Sequence, residues 1–237
     1  MKGRSQGPAD ASRRILDPLR ITVSRPLVLL RLGYRTAAQV QEKTSRLLDE
    51  EIAACAPLVK ARAVLAPFPI ERAGPVLRLG ERLQSAARTL RERLDGCDTA
   101  WLFAATIGDG VERRSATFSE KGELTRSLLV DAYGSAAAIA LGLALEEAVM
   151  RECAPLGLVA TRRTAPGYGD FDLEAQRPLV ELLDTASIGI TLTEDCLMLP
   201  AKSVSGVIGG RLPGAGREFH PAGRGPGAED DPMGAAG

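Results

Sequence analysis

The stretch from Arg163 to Asp170 holds the residue types and spacing best suited to ligand binding in this chain. A proline and two glycines would let backbone amides approach a ligand closely, because glycine has no Cβ. Arg163 offers a planar guanidinium that suits a carboxylate, and Tyr168 offers an aromatic face that suits a cation such as a sulfonium. Together they predict a site for a zwitterionic amino acid with an extra positive centre. The same composition also fits an ordinary Gly/Pro turn.

Two further stretches could carry chemistry. The apolar run 136–145 ends at Glu146 and Glu147, where one carboxylate could accept hydrogen bonds from a ribose diol. The alternative is that this pair is the solvated end of an otherwise buried helix. Residues 192–206 are typical of a β-hairpin with a polar turn, in which we expect Met198 to fill the core.

Several classes of site are excluded by the residues that the sequence lacks. Its one histidine, His220, lies in a Gly- and Pro-rich tail, whereas a catalytic triad or a multi-histidine metal site needs a histidine in a rigid core. The four cysteines are far apart and form no Cys-x-x-Cys pair, so we expect reduced, structural thiols. The sequence also lacks a phosphate-binding loop, a dinucleotide-binding glycine motif and the Asp-x-His-x-x-Gly pattern of base-off cobalamin proteins.

Composition and charge indicate a globular protein without a nucleic-acid or membrane partner. The chain has 237 residues, of which 45% are hydrophobic and 25% charged, and its 30 basic residues equal its 30 acidic residues. This balance gives no bulk attraction to nucleic acid or to an anionic membrane. The longest apolar run is also shorter than the roughly 20 residues of a membrane span. We therefore expect a cytoplasmic protein.

The elements that must position these residues predict an α+β fold. Strands are predicted at 21–23, 27–30, 61–70, 101–105, 158–161, 188–193 and 204–208. Helices are predicted from an N-cap at Thr36 to residue 52, and at 76–94, 123–151 and 179–183. The two types do not alternate regularly, as they would in a doubly wound sheet. We expect a flexible segment at 1–20, one domain at 21–209 and a disordered tail at 210–237.

Several motifs resemble those of one protein family, in the same order along the chain. Arg163-Thr164-Ala165-Pro166-Gly167-Tyr168 resembles the Arg-x-x-x-Gly-Tyr signature of the activation domain of cobalamin-dependent methionine synthase. The second signature of that domain is similar to residues 188–194 together with 202–206. Thr106-Ile107-Gly108 and Asp131-Ala132-Tyr133-Gly134-Ser135 resemble the free-standing members of the family. The resemblance covers residues 20–209.

The resemblance implies a fold and a ligand. The fold would be a C-shaped α+β domain with a twisted antiparallel sheet and flanking helices, and the ligand S-adenosylmethionine. Arg163 would bind the ligand's carboxylate, and the backbone around Ala165 and Gly167 would line the site. Tyr168 would lie near the methylsulfonium. Glu147 is the match for the helix carboxylate at the ribose.

The resemblance also implies a reactivation function in methionine biosynthesis. When cob(I)alamin is accidentally oxidised to inactive cob(II)alamin, a flavodoxin-like or ferredoxin-like donor supplies an electron and S-adenosylmethionine supplies the methyl group. The chain has no cobalamin-binding signature, so a partner would hold the cobalamin. This chain would then be a subunit of a methyltransferase, inactive alone.

One departure from the family keeps two other functions open. Free-standing members carry acidic residues in the helix after the Gly-Ser pair, where this chain has Ala136, Ile139 and Leu143. One alternative is therefore a non-catalytic interaction module that has lost the ligand. The other is a reactivator of a different corrinoid methyltransferase.

Overall fold

The computed structural model describes residues 13–215. The α-helices in that range are α1 (Arg25–Arg31), α2 (Glu42–Cys55), α3 (Arg88–Arg93), α4 (Gly110–Glu120), α5 (Leu124–Cys153) and α6 (Gln176–Leu183). The strands are β1 (Arg14–Leu16), β2 (Arg62–Ala73), β3 (Val76–Leu79), β4 (Leu83–Ser85), β5 (Cys97–Thr106), β6 (Val159–Ala160), β7 (Thr191–Leu192), β8 (Met198–Leu199) and β9 (Ser203–Arg211).

Seven of the strands form one open antiparallel sheet. Its order is β4-β3-β2-β5-β9-β6, and β1 also pairs with β2. Strand β2 is long enough to pair with β1 over residues 63–65 and with β3 over residues 70–73. Strands β7 and β8 form a separate hairpin. The fold is thus a mixture of helices and antiparallel strands, which confirms the predicted α+β class.

The central strands are buried on both faces of the sheet. Along β5, Trp101 and Phe103 belong to a core shared with α5, whereas Leu102 and Ala104 belong to a second core that includes residues of α6. A strand covered on both faces reads as a continuous apolar run rather than an alternating one. This explains why β5 could be recognised from its sequence.

Helix α5 is one continuous helix of 30 residues, where the pattern at 123–151 predicted one or two long helices. With the turn that follows, Leu124–Leu156 is long and apolar enough to cross a membrane, but 61% of its apolar window is buried inside the fold. Burial of this kind is that of a core helix, since both sheet and helices pack around it. Ala136 and Ile139 are among its buried residues.

Three predictions in the N-terminal part were wrong. Residues 27–30 were expected to form a strand but lie in α1, because Pro26 occupies its first turn and pre-sets the helical φ. The expected strand at 21–23 has no regular structure. Thr36 does not cap the next helix either, since α2 begins only at Glu42 after a short 3-10 turn.

The predicted helix at 76–94 was also wrong. Residues 76–85 form β3 and β4, and only Arg88–Arg93 is helical. The leucines at 77, 79 and 83 are buried in the second core, which satisfies the two-residue period of strands. Gly80 connects the two strands with a φ of +61°, a backbone conformation that ends a helix.

The remaining elements follow the predictions more closely. The strands at 61–70, 101–105, 158–161 and 204–208 are confirmed as β2, β5, β6 and β9, although β6 has only two residues. The strand predicted at 188–193 is shortened to β7 behind a 3-10 turn, and α4 had no sequence prediction. Helix α6 begins at Gln176, so Pro178 lies inside its first turn.

The predicted domain limits differ slightly from the ends of the sheet. Strand β1 starts at Arg14, within the segment predicted to be flexible, and β9 runs on to Arg211. The rest of the predicted N-terminal segment, residues 1–12, and the predicted tail at 216–237 with His220 lie outside the described residues.

Candidate functional site

The stretch 161–171, called the site loop below, continues from β6 along the edge of β9. Thr164 and Val207 exchange two backbone hydrogen bonds, at 3.0 Å and 2.7 Å. Closer to β6, the amide of Thr161 donates to the carbonyl of Gly209 at 2.8 Å, and the amide of Gly209 donates to the Thr161 hydroxyl at 2.9 Å. The loop is therefore held by the sheet, although it is not itself a strand.

A tight turn at 165–171 places Gly167 and Tyr168. Gly167 has a φ of +86°, and its amide donates to the carbonyl of Phe171 at 2.7 Å. The Tyr168 amide donates to the carbonyl of Ala165 at 3.2 Å. Because these two amides bond within the turn, a ligand cannot use them without breaking the turn. The expected approach of loop amides to a ligand is thus not provided by Gly167 or Tyr168.

Arg163 leaves the loop and lies against α5. Its side chain is 10% exposed, and its Nη1 atom is 3.4 Å from Oε1 of Glu146. Glu147, the residue predicted for the site, points elsewhere: its side chain is 65% exposed and pairs with Arg151 at 3.6 Å. The structure therefore brings Glu146, not Glu147, to the arginine of the loop. Adjacent residues on a helix point about 100° apart, and sequence alone did not fix which of the two faces inward.

The far end of the loop is fastened to α3. The carboxylate of Asp170 accepts hydrogen bonds from the amides of Arg88 at 2.7 Å and Thr89 at 2.9 Å. Hydrogen bonds from the Thr89 hydroxyl and from these amides lower the pKa of Asp170 well below its ordinary value. A charged carboxylate at this position caps α3 and fixes the loop on the side opposite β9.

Arg93 of α3 is a neighbour of the site loop that the sequence did not indicate. Burial lowers its pKa, and the nearby charge of Arg162 lowers it further, whereas Glu146 and Tyr168 act in the opposite direction. These influences place three elements around one cluster: α3, α5 and the site loop. A half-buried arginine at the end of a short helix has no sequence signal of its own, so only the fold reveals it.

The other motifs meet around Lys202, not around the site loop. The Lys202 ammonium is 2.9 Å from the carboxylate of Asp131 and 3.0 Å from the hydroxyl of Ser135. The amide of Ile107 donates to the Lys202 carbonyl at 3.3 Å. The stretches 106–108, 131–135 and 202–206 are thus joined by one clamp that fixes α5 against the start of β9.

Ser205 and Gly206, in the second half of the motif at 202–206, support the site loop. Gly206 lies under the Thr164 carbonyl, where a Cβ would come within 2.5 Å of the oxygen. Ser205 donates from its hydroxyl to Gln176 of α6 at 2.9 Å in the buried interior. This motif therefore contributes support rather than ligand contacts.

A cavity of about 470 Å³ opens away from the site loop, between α4 and the β7–β8 hairpin. Its charged lining comes from Asp109, Glu112 and Arg113. All three groups already have partners, because Arg113 pairs with Asp109 at 3.2 Å and Glu112 accepts from the amide of Ala201 at 3.1 Å. The charged groups that line this cavity are therefore engaged within the protein.

Cysteine and metal chemistry find no support in the described residues. All four cysteines are free and buried, and burial raises the pKa of both Cys55 and Cys97 to about 11. Thiols of this kind are unreactive at neutral pH. Within residues 13–215 no group of three or more His, Cys, Asp or Glu side chains could hold a metal ion.

Comparisons with known proteins identify a family and a similar fold. A sequence profile of the family described as vitamin B12 dependent methionine synthase, activation domain, matches residues 89–215, more than half of the chain. Among solved structures, the chain is similar to a crystal structure of the MetH reactivation domain bound to AdoHcy, with a TM-score of 0.60. The two are 18% identical, and the match covers 83% of this chain and 78% of that one. At this identity the likeness shows the fold alone. A search of curated proteins found no match.

Proposed function

The chain belongs to the vitamin B12 dependent methionine synthase activation domain family, and we propose that it binds S-adenosylmethionine at the site loop. In this proposal the protein is a subunit that supports the reductive methylation of a cobalamin held by a partner. It acts in the cytoplasm, and it is inactive in methionine synthesis when alone.

The observation that carries the proposal is the paired charge of Arg163 and Glu146, 3.4 Å apart beside the loop. The amino-acid end of S-adenosylmethionine has a carboxylate and an ammonium on the same carbon atom. A guanidinium and a carboxylate held side by side match these two groups, because each supplies the opposite charge and suitable hydrogen-bonding atoms. The residues present therefore fit the ligand at this end.

The remaining residues of the loop have separate roles. Tyr168 is half-buried at the turn, where its ring would face the sulfonium, since a cation is attracted to an aromatic face. Ala165 is 5% exposed, so its contribution is backbone and not side chain. The structural relative binds AdoHcy, which is S-adenosylmethionine without the transferable methyl group. That relative supports the choice of ligand for this chain.

We propose separate roles for the ligand, the electron donor, this chain and its partner. Bound S-adenosylmethionine supplies the methyl group, while the electron comes from a flavodoxin-like or ferredoxin-like donor. The described residues supply charge, shape and a rigid frame, and we propose no proton-transfer role for any of them. The partner is a cobalamin-binding subunit of methionine synthase, or a corrinoid protein of another methyltransferase.

Calorimetric titration with S-adenosylmethionine tests the ligand. We expect saturable binding by the wild-type chain and a loss of tenfold or more in Arg163→Ala. Losing a charge-assisted hydrogen bond costs about 1.5–3 kcal/mol. Arg151→Ala is the matched control, because it removes an exposed arginine of α5 whose partner is Glu147 rather than Glu146, and its affinity should change much less. A folded wild-type chain that gives no saturable heat would contradict the proposal.

Reconstitution tests the role. The chain is mixed with a cobalamin-loaded partner, a reductant and S-adenosylmethionine, and methylation is followed by the cobalamin absorbance. We expect methylation only in the complete mixture, and slower methylation with Arg163→Ala. Methionine made from homocysteine and methyltetrahydrofolate by the chain alone would show that the division of labour is wrong.

A further inference from the structure

The guanidinium of Arg163 lies directly against the backbone of α5 at Gly142. A Cβ added to Gly142 would be 2.5 Å from Nη1 of Arg163 and 2.9 Å from its Cζ. Favourable contacts between such atoms lie near 3.5–4.0 Å, so no larger residue fits unless the guanidinium moves. One turn further along the helix, Glu146 is the ion-pair partner of the same group.

Glycine is a poor residue for this position on helical grounds. Gly142 lies in the interior of a helix of 30 residues, where glycine is among the least favourable residues and alanine is the best. The local stability of α5 would therefore favour alanine. The contact with Arg163 is what alanine would disturb.

A second glycine of the same helix provides a comparison. Gly134 lies two turns before Gly142, and an added Cβ would be 3.2 Å from the Cε atom of Lys202 and 3.2 Å from Cγ1 of Val111, both without the sub-3.0 Å approach seen at Gly142. The close atom of Lys202 belongs to a flexible stem, which can shift while the ammonium keeps its contact with Asp131. At Gly142 the close atoms belong to the planar head group itself, so any shift that relieves the contact displaces the guanidinium.

We infer that Gly142 is a positioning residue for the carboxylate of the ligand. Because Gly142 has no side chain, the planar guanidinium of Arg163 can pack directly against the backbone of α5. The ion pair with Glu146 sets the direction in which the guanidinium points. The identity of the ligand rests on the proposed function, but the contact between Gly142 and Arg163 does not. A bidentate hydrogen bond requires the guanidinium to lie in the plane of the carboxylate, so displacing it weakens binding even though Arg163 is still present.

Two measurements on Gly142→Ala test the inference. The first is the dissociation constant for S-adenosylmethionine, which we expect to rise about tenfold. Gly134→Ala is the matched control, because it makes the same change in the same helix but contacts the stem of Lys202, and its dissociation constant should stay within about twofold. A general effect of straining α5 would move both variants alike.

The second measurement is the urea midpoint of unfolding, taken with and without Arg163. In the wild-type background Gly142→Ala should lower the midpoint or leave it unchanged, because the new methyl group collides with the guanidinium. In the Arg163→Ala background the same change should raise the midpoint, because only the helix preference remains. If Gly142→Ala alone does not fold but the double variant does, the same conclusion holds.

The outcomes separate this inference from the proposed function. A midpoint raised by Gly142→Ala in both backgrounds, or failure of both variants to fold, overturns the role of Gly142. An unchanged dissociation constant in a folded Gly142→Ala variant also overturns it. If the wild-type chain does not bind S-adenosylmethionine, the proposed function fails, and the reversal in the urea midpoint still decides whether Gly142 positions Arg163.

Discussion

Replacing Glu51 by glutamine should destabilise the protein far more than the same change at Glu50. The Glu51 side chain is 1% exposed, and its Oε2 atom accepts hydrogen bonds from Nε of Arg114 at 2.9 Å and from Nη2 at 2.7 Å. Its Oε1 atom accepts from Arg126. The two arginines also lie over the ring of Phe118, at 4.8 Å and 5.6 Å from its centroid. Glu51 therefore ties α2 to both α4 and α5.

The size of the effect follows from burial. Removing one member of a buried ion pair costs about 3–5 kcal/mol, because the charge left behind is desolvated and uncompensated. The side chains of Arg114 and Arg126 are 30% and 32% exposed, so water recovers part of this cost. Arg126 also keeps contacts with Glu50 and Glu123. We therefore expect Glu51→Gln to lower the free energy of unfolding by about 2–4 kcal/mol.

Urea denaturation followed by tryptophan fluorescence measures this change. Trp101 is the sole tryptophan of the chain and is 2% exposed, so its emission reports the opening of the core. Glu50 pairs with the same Arg126 at 3.3 Å but is 63% exposed, so Glu50→Gln should cost about 0–1 kcal/mol. Added salt should reduce the small effect at Glu50 more than the large effect at Glu51. Equal losses for the two variants would refute the argument from burial.

Two further predictions concern the supports of the site loop. Gly206→Ala should force β9 and the Thr164 carbonyl apart, at a cost of about 1–3 kcal/mol for overpacking; urea unfolding measures it, and an unchanged free energy of unfolding would contradict the 2.5 Å approach. The lowered pKa of Asp170 means that its contribution to stability is present above the ordinary carboxyl pKa of about 3.9 and is lost as pH falls through the folded value. The difference in stability between wild type and Asp170→Asn should accordingly be constant above pH of about 5 and should narrow on acidification; a difference independent of pH down to about 2 would show that the carboxylate does not cap α3.

The elements that could be predicted were those with one dominant signal. Strand β5 has a continuous apolar run, and α5 has a long run of residues that favour helices. The prediction of a helix at 76–94 was wrong because the spacing of Leu79, Leu83, Leu90 and Leu94 fits both the helical period and the strand period in part. Two features favour strands over a helix here. Gly80 has a positive φ, which ends any helix at that point, and the leucines pack against α6, which is about 100 residues away in the sequence.

Only the residues of the candidate site that are adjacent in sequence could be grouped before the fold was known. Arg163, Gly167 and Tyr168 belong to one short motif, and the structure places them in one loop. Arg93 and Glu146 reach the same cluster from α3 and α5, so their participation depends on how three elements pack. Which of Glu146 and Glu147 lies beside Arg163 could not be predicted for the same reason, because the rotation of α5 about its axis is fixed by its whole buried face.

Helix α5 positions the loop through two cations that come from different parts of the chain. Lys202 pairs with Asp131 beside Gly134, and Arg163 pairs with Glu146 beside Gly142. Lys202 directly precedes β9, and the site loop is hydrogen-bonded to the middle of that strand. The helix therefore contacts the start of β9 through Lys202, and it contacts the loop that is hydrogen-bonded to β9 through Arg163. Because these ion pairs join α5 to residues on either side of the same strand, a rotation of α5 would have to move Lys202 and Arg163 together. The motifs at 131–135 and 202–206 thus hold in place the helix against which Arg163 lies.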